Sequence, residues 1–133
     1  RKVAKYTDKD MKRLRGNPDV IRNRAKISAA VNNARQLAQV QNEFGSFDAF
    51  VWKFVHGKPV NHHLKDFSGM PSESEESRAM SRELKKRGFK FVGPTICYAF
   101  MQAVGMVNDH LVHCFRYGQI SRITSDRMKN AKV

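Results

Sequence analysis

Apolar residues recur along most of the chain at spacings of three and four, the period of helices packed on one side. Val20, Ile27, Val31, Ala34 and Ala38 form one such stripe, with Arg22, Arg24, Lys26 and Arg35 on the other faces. Asn17-Pro18 supplies the start signal for that helix, Asn17 as cap and Pro18 at the first helical position. Ahead of it, Thr7 with Asp10 three residues on reads as a capping box, and Gly16 ends the short helix that the box begins. Gly45-Ser46 interrupts the long helix, and Ser46 can cap the next. That next helix carries Phe47, Phe50, Val51, Phe54 and Val55, a dense stripe expected in the core, and Trp52 is read as structural with it.

Gly57-Lys58-Pro59 stops this run, and residues 58–72 read as a long loop. Acidic residues in Ser72-Glu73-Ser74-Glu75-Glu76-Ser77 then open a helix that ends in Lys85-Lys86-Arg87, both signs matching the helix dipole. A further helix is predicted over about 94–105, stopping at Gly105, and a last one from Asn108 or Asp109. No internal repeat and no strand pair is evident, so the class is all-α. The reading gives one helical domain over 1–115 and a basic, weakly patterned tail over 116–133, read as partly disordered.

The segment with the most chemistry is Arg87-Gly88-Phe89-Lys90-Phe91-Val92-Gly93-Pro94-Thr95-Ile96. Two glycines flank a short apolar turn, and Pro94 sits where a helix begins. The first N–H groups of a helix have no partner inside it, and Gly93 adds no side chain to keep an anion away. A phosphate could accept those hydrogen bonds, with Lys90, and behind it Lys85, Lys86 or Arg87, adding Coulomb attraction. The alternative is a tight helix–helix turn with a proline start and no ligand.

Composition moves the balance toward the phosphate. Lys plus Arg is 25 against 12 for Asp plus Glu in 133 residues, a formal net charge of +13. That is the footprint of a polyanion-binding protein. At 41% hydrophobic residues the chain suits a globular domain, and no run approaches the ~18–20 apolar residues that span a bilayer. Arg1-Lys2-Val3-Ala4-Lys5-Tyr6 has charge but no apolar run behind it, unlike a secretory signal. Two cysteines, Cys97 and Cys114, are too few for a disulfide scaffold and fit a reduced compartment. An intracellular protein is expected, cytoplasmic in a bacterium or nuclear in a eukaryote.

Leu84 to Thr95, then Ile96-Cys97-Tyr98-Ala99-Phe100-Met101-Gln102-Ala103 and Val104-Gly105-Met106-Val107-Asn108-Asp109-His110, resemble the signature of the 3-methyladenine DNA glycosylase I family. Ile21-Arg22-Asn23-Arg24 with Lys26-Ile27 and Asn33-Ala34, and Phe50-Val51-Trp52-Lys53-Phe54-Val55, resemble the same family. The resemblance covers most of residues 18–115 and is collinear. It implies a helix-hairpin-helix, about 84–105, in a DNA glycosylase-like helical fold. Phe91 then stands where related proteins carry a first glycine, and Lys90, Phe91, Val92, Gly93 and Thr95 form the DNA contact. It also implies base flipping and hydrolysis of the N-glycosidic bond of 3-methyladenine by a monofunctional enzyme. The implied partner is double-stranded DNA with alkylated bases, bound by a monomer with no membrane role. Tyr98 and Ala99 follow the hairpin and border the lesion pocket in this reading, although helix packing accounts for them nearly as well.

His110 and Cys114 lie four apart, on one face if that stretch is helical. Such a pair alone is packing more often than a metal site. The resemblance implies a structural zinc held by this pair with a Cys and a His from near the family's N-terminus, so that two of four ligands are present. His56, His62, His63 and His113 do not stand in the matching places. The family's base pocket, a carboxylate with Trp and Tyr rings, is likewise implied upstream of Arg1, leaving the catalytic residues unassigned. The expectation is that this segment is missing from the chain, in keeping with a first residue that is not Met. Asp109 is read as the cap of the last helix rather than a catalytic carboxylate. Two alternatives stay open: a non-catalytic DNA-binding module using the hairpin alone, and a basic RNA-binding helical protein.

Overall fold

The computed structural model describes residues 1–130 and divides into two compact units, Arg1–Phe50 with Arg82–Val92, and Val51–Ser81 with Gly93–Val133. The helices in chain order are α1 (Asp8–Gly16), α2 (Arg24–Phe44), α3 (Phe47–Trp52), α4 (Glu75–Lys86), α5 (Pro94–Ala103) and α6 (Phe115–Asn130). No described helix is long and apolar enough to cross a membrane.

In the first unit, α1 begins with the capping box read from the sequence. The Thr7 side chain accepts from the Asp10 amide, and the Asp10 carboxylate accepts from the Thr7 amide at 2.9 Å. These bonds and the positive charge of Lys9 and Arg13 nearby hold the Asp10 carboxyl below its usual range, the backbone bond to Thr7 contributing most. The start of α2 differs from the expectation. The Asn17 side chain accepts from the Asp19 amide two residues on, at 2.9 Å, so Asn17-Pro18 forms a turn rather than a helix start. Asn23 is the cap instead, its side chain accepting from the Lys26 amide at 3.0 Å. Val20 is therefore outside the helix, while Ile27, Val31 and Val40 are buried along it.

Gly45, at φ +77°, ends α2 in the left-handed conformation that glycine adopts without a Cβ clash. Ser46 caps α3 as expected, accepting from the Ala49 amide at 2.9 Å. Phe50 is fully buried, worth ~2–3 kcal/mol of transfer from water, and its ring lies 5.0 Å from that of Phe44. The Arg87 guanidinium covers both rings at 4.9 and 5.3 Å. It is paired with Glu43 at 2.5 and 2.9 Å and with Glu83 at 2.8 Å. Those hydrogen bonds, Glu43 first, push its pKa far up.

In the second unit, Val51, Trp52, Val55, Leu64, Met101 and Met106 are buried. The sequence reading saw no strand pair, yet Val60–Asn61 (β1) and Val107–Asn108 (β2) form a parallel two-stranded sheet. A pair two residues long leaves no alternation to detect. It also shifts the last helix: residues 107–108 are extended, and α6 starts at Phe115 rather than at Asn108 or Asp109. The stretch read as a basic tail, 116–133, carries α6 as far as Asn130, and residues 131–133 lie outside the described residues.

Candidate nucleic-acid interface

The turn between α4 and α5 is built by special backbone conformations at its two ends. Gly88 has φ +83° and closes α4, its amide and that of Phe89 donating to Lys85 and Leu84 carbonyls at 2.9 and 3.0 Å. Phe91 has φ +57°, a region that costs a bulky residue roughly 1–2 kcal/mol. That is the position where the family resemblance implied a glycine in related proteins. The residue is 57% exposed, so burial offsets little of the strain. A strained, exposed aromatic on a turn points to a function outside the fold.

Asn32 and Asn33 of α2, absent from the predicted site, hold the first half of this turn. The Asn32 amide donates to the Gly88 carbonyl at 2.8 Å. Asn33 donates to the Lys90 carbonyl at 2.9 Å and accepts from the Lys90 amide at 2.8 Å. Two backbone groups of an exposed residue are thereby satisfied by one amide side chain, which fixes where Lys90 and Phe91 emerge. The signal in the sequence was a pair of asparagines on an otherwise apolar helix stripe, Asn33 being one of the residues that carry the family resemblance.

The second half of the turn opens α5. Gly93 is the cap residue in extended conformation, with no side-chain cap, and Pro94 follows at the first helical position. The Cys97 amide makes the first bond of the helix, to the Gly93 carbonyl at 2.9 Å. Helix geometry leaves the Thr95 and Ile96 amides without partners inside α5. A Cβ placed on Gly93 would meet no described heavy atom within 4 Å. Thr95, Ile96 and Lys90 are exposed and Val92 is half-buried. Donors without partners inside the helix and open space beside Gly93 occur together at the start of α5, as anion binding at a helix start requires.

The second candidate stretch is different. Asp109 does not cap a helix. Its Oδ1 lies 2.6 Å from His62 Nδ1, and its Oδ2 accepts from the Tyr98 hydroxyl at 2.6 Å and the Gln102 amide at 2.8 Å. Burial raises the Asp109 pKa, but the bonds from Tyr98, His62 and Gln102 outweigh it and the net direction is down. Burial, then the hydrogen bond to Asp109, pushes the Tyr98 hydroxyl well up. Three hydrogen bonds within the fold thus hold this carboxylate in place. Tyr98 is buried in the same network, whereas Ala99 is exposed.

His110 and Cys114 follow on a turn rather than on a helix, because β2 has pulled the preceding residues into a strand. Their side chains nevertheless meet, Cys114 Sγ lying 3.8 Å from His110 Nδ1. Tetrahedral zinc with bonds of ~2.1 Å to nitrogen and ~2.3 Å to sulfur sets its ligands roughly 3.6 Å apart, so the pair fits as half of a zinc shell. Among the described residues no group of three or more His, Cys, Asp or Glu side chains is placed to hold a metal. The pair lines a cleft of roughly 520 Å³ with Asp109, Gln102, Phe67 and Met70.

Residues 1–117 match the family described as methyladenine glycosylase. DNA-3-methyladenine glycosylase 1 of Escherichia coli (strain K12) is 47% identical over 116 residues, which are 87% of this chain and 62% of that protein. A crystal structure of 3-methyladenine DNA glycosylase I superposes with a TM-score of 0.82 at 45% identity, over 86% of this chain and 63% of the other. A variant of such an enzyme solved in complex with 3-methyladenine gives a TM-score of 0.83 at 34% identity, over 86% and 61%. The chain thus spans about three-fifths of the length of these relatives, and it belongs to the methyladenine glycosylase family.

Proposed function

We propose that the protein acts in DNA repair by hydrolysing the N-glycosidic bond of 3-methyladenine in alkylated double-stranded DNA. Residues 84–105 serve as the helix-hairpin-helix that grips the backbone. The observation that carries this reading is the likeness over 116 residues to a relative named for that reaction. The start of α5 gives it a physical basis: the Thr95 and Ile96 amides take a phosphate, fixing register without reading sequence. Methylation leaves the base cationic, so it departs as a neutral adenine derivative and needs little acid assistance. Water supplies oxygen to the sugar carbon and gives up one proton to solvent, and the electrons of the broken bond stay on the base. No described residue is assigned to that step.

A second reading is a DNA-binding module that uses the turn without catalysis. Incubating the protein with methylated duplex DNA and measuring free 3-methyladenine separates the two. Release above the spontaneous rate supports the glycosylase, and duplex binding without release supports the module. Stronger binding to structured RNA than to duplex DNA would replace both with an RNA-binding role. The reading includes a monomer in an intracellular compartment, where Cys97 and Cys114 stay reduced.

For the metal, His110 and Cys114 would hold zinc as a structural ion, in a shell completed by further donors. Elemental analysis should find about one zinc per chain in the metal-loaded protein, lost in Cys114→Ser. Equal zinc in that variant would remove Cys114 from the shell.

A further inference from the structure

Resting on the reading of the turn as a duplex contact, the charge of the first unit suits a larger anion than one phosphate. Most of the chain's formal charge of +13 lies in this unit, and its first fifteen residues hold seven Lys and Arg against two Asp. This stretch is firmly held. The Arg35 guanidinium of α2 donates to the Ala4 and Tyr6 carbonyls at 3.0 and 3.1 Å, and the capping box then starts α1.

Lys9, Lys12, Arg13 and Gly16 stand three, four and seven residues apart, so they share one face of α1. With Thr7 and Asp10 they line a cleft of roughly 700 Å³. Lys9, Lys12 and Arg13 are exposed. Among the described residues Lys9 and Lys12 have no ion-pair partner, and Arg13 reaches Asp10 only at 3.8 Å. Like charges three and four residues apart on a helix repel, and Lys9 stands in the first turn, where the helix dipole opposes a cation. The fold gains nothing from this arrangement, whereas a polyanion laid along it would relieve the repulsion. No apolar side chain lines the face, so it offers no anchor to a lipid surface or an apolar partner.

Clefts within the unit lead from α1 to the turn. Met11 and Arg15 of α1 meet Arg24 and Ser28 of α2 in one, and Ser28 shares the next with Lys90 and Phe91. Ala25 to Asn32 is ~10 Å of α2, and a helix is ~10 Å across. The basic face therefore lies within about one turn of duplex, ~34 Å, of Lys90. Lys9 to Gly16 is itself ~10 Å of helix, along which a duplex presents about six charges, one per ~1.7 Å.

We propose that the Lys9, Lys12 and Arg13 face of α1 is a second backbone contact for duplex DNA, outside the hairpin, taking phosphates of the helical turn that flanks the one gripped there. It reads no sequence; it lengthens the footprint and speeds encounter.

The test titrates the whole chain with a labelled duplex of roughly 24 base pairs, just over two turns, across a salt series. Lys9→Gln with Lys12→Gln and Arg13→Gln should flatten the slope of log affinity on log salt by roughly 2–3, at ~0.9 per phosphate. The melting temperature should hold, since all three side chains stand in water. A matched control, Lys58→Gln with Lys65→Gln and Arg122→Gln, removes three exposed cations from the second unit and should keep the wild-type slope. An unchanged slope in the α1 variant, or equal flattening in the control, overturns the proposal. Loss of affinity for structured RNA at an unchanged duplex slope would assign the face to RNA instead. If Gly93→Leu loses duplex binding while the α1 variant matches wild type, the turn stands as the DNA contact and the second contact falls. If wild type binds no duplex, both fall.

Discussion

The turn at 87–96 and the cluster around Asp109 lie only some fifteen residues apart in sequence, yet they use their polar groups in opposite ways. Around Asp109, two carboxylate oxygens meet three donors, the group is 6% exposed, and Tyr98 behind it is 2% exposed. At the turn, α5 begins with no side-chain cap, an added Cβ on Gly93 would meet only open space, and Phe91 is held at φ +57° with its ring in water. A carboxylate after a helix is the more familiar emblem of catalysis. Here most of its bonding capacity is spent inside the fold, while the backbone of the turn keeps its capacity in reserve. Spare donors, rather than a reactive residue type, mark the place where a ligand fits.

The sharpest way to break that contrast is Gly93→Leu. Gly93 has φ −64°, so a side chain is tolerated there and the melting temperature should hold. The side chain would occupy the phosphate position, and losing one charge-assisted hydrogen bond, ~1.5–3 kcal/mol, weakens duplex binding roughly ten- to hundredfold. Anisotropy titration reads this, and unchanged affinity would put the phosphate elsewhere.

Asp109→Asn should do the reverse. An amide turns one acceptor into a donor facing Tyr98, Gln102 or His62, and an unsatisfied buried group costs about 1–3 kcal/mol. Denaturant unfolding should show that loss, with duplex affinity per folded molecule unchanged. A stable variant with weakened binding would mean that Asp109 acts on DNA after all.

Asn33→Ala removes the brace on Lys90 and should lower stability by about 1 kcal/mol. It should also loosen duplex binding a fewfold, because the cation is no longer held in one place. Phe91→Gly is the smallest effect expected. Relief of left-handed strain and the added freedom of the unfolded chain offset each other, leaving stability within about 1 kcal/mol of wild type. A large loss would show that the phenyl ring packs in solution.

What the sequence made legible was local. Thr7 with Asp10, Ser46 before Ala49, the acidic start and basic end of α4, and Gly93-Pro94 before α5 are all decided by neighbours within four residues. Asn17-Pro18 misled because a second asparagine, Asn23, competed for the cap, and the Asn17 side chain found the Asp19 amide first. The rest depended on partners far along the chain. His62 is 47 residues from Asp109, and Asn33 is 57 from Lys90. Neither pairing leaves a periodic trace. His110 and Cys114 were expected to meet on a helix and meet on a turn, at a spacing that served both geometries.

The central claim is that the first amides of α5 hold a phosphate, and backbone amide resonances report on it directly. In an NMR titration of the isotope-labelled protein with duplex DNA, the Thr95 and Ile96 amide protons should move strongly downfield, saturating with the binding isotherm. If those two resonances stay in place while others in the protein shift with the duplex, the account is wrong.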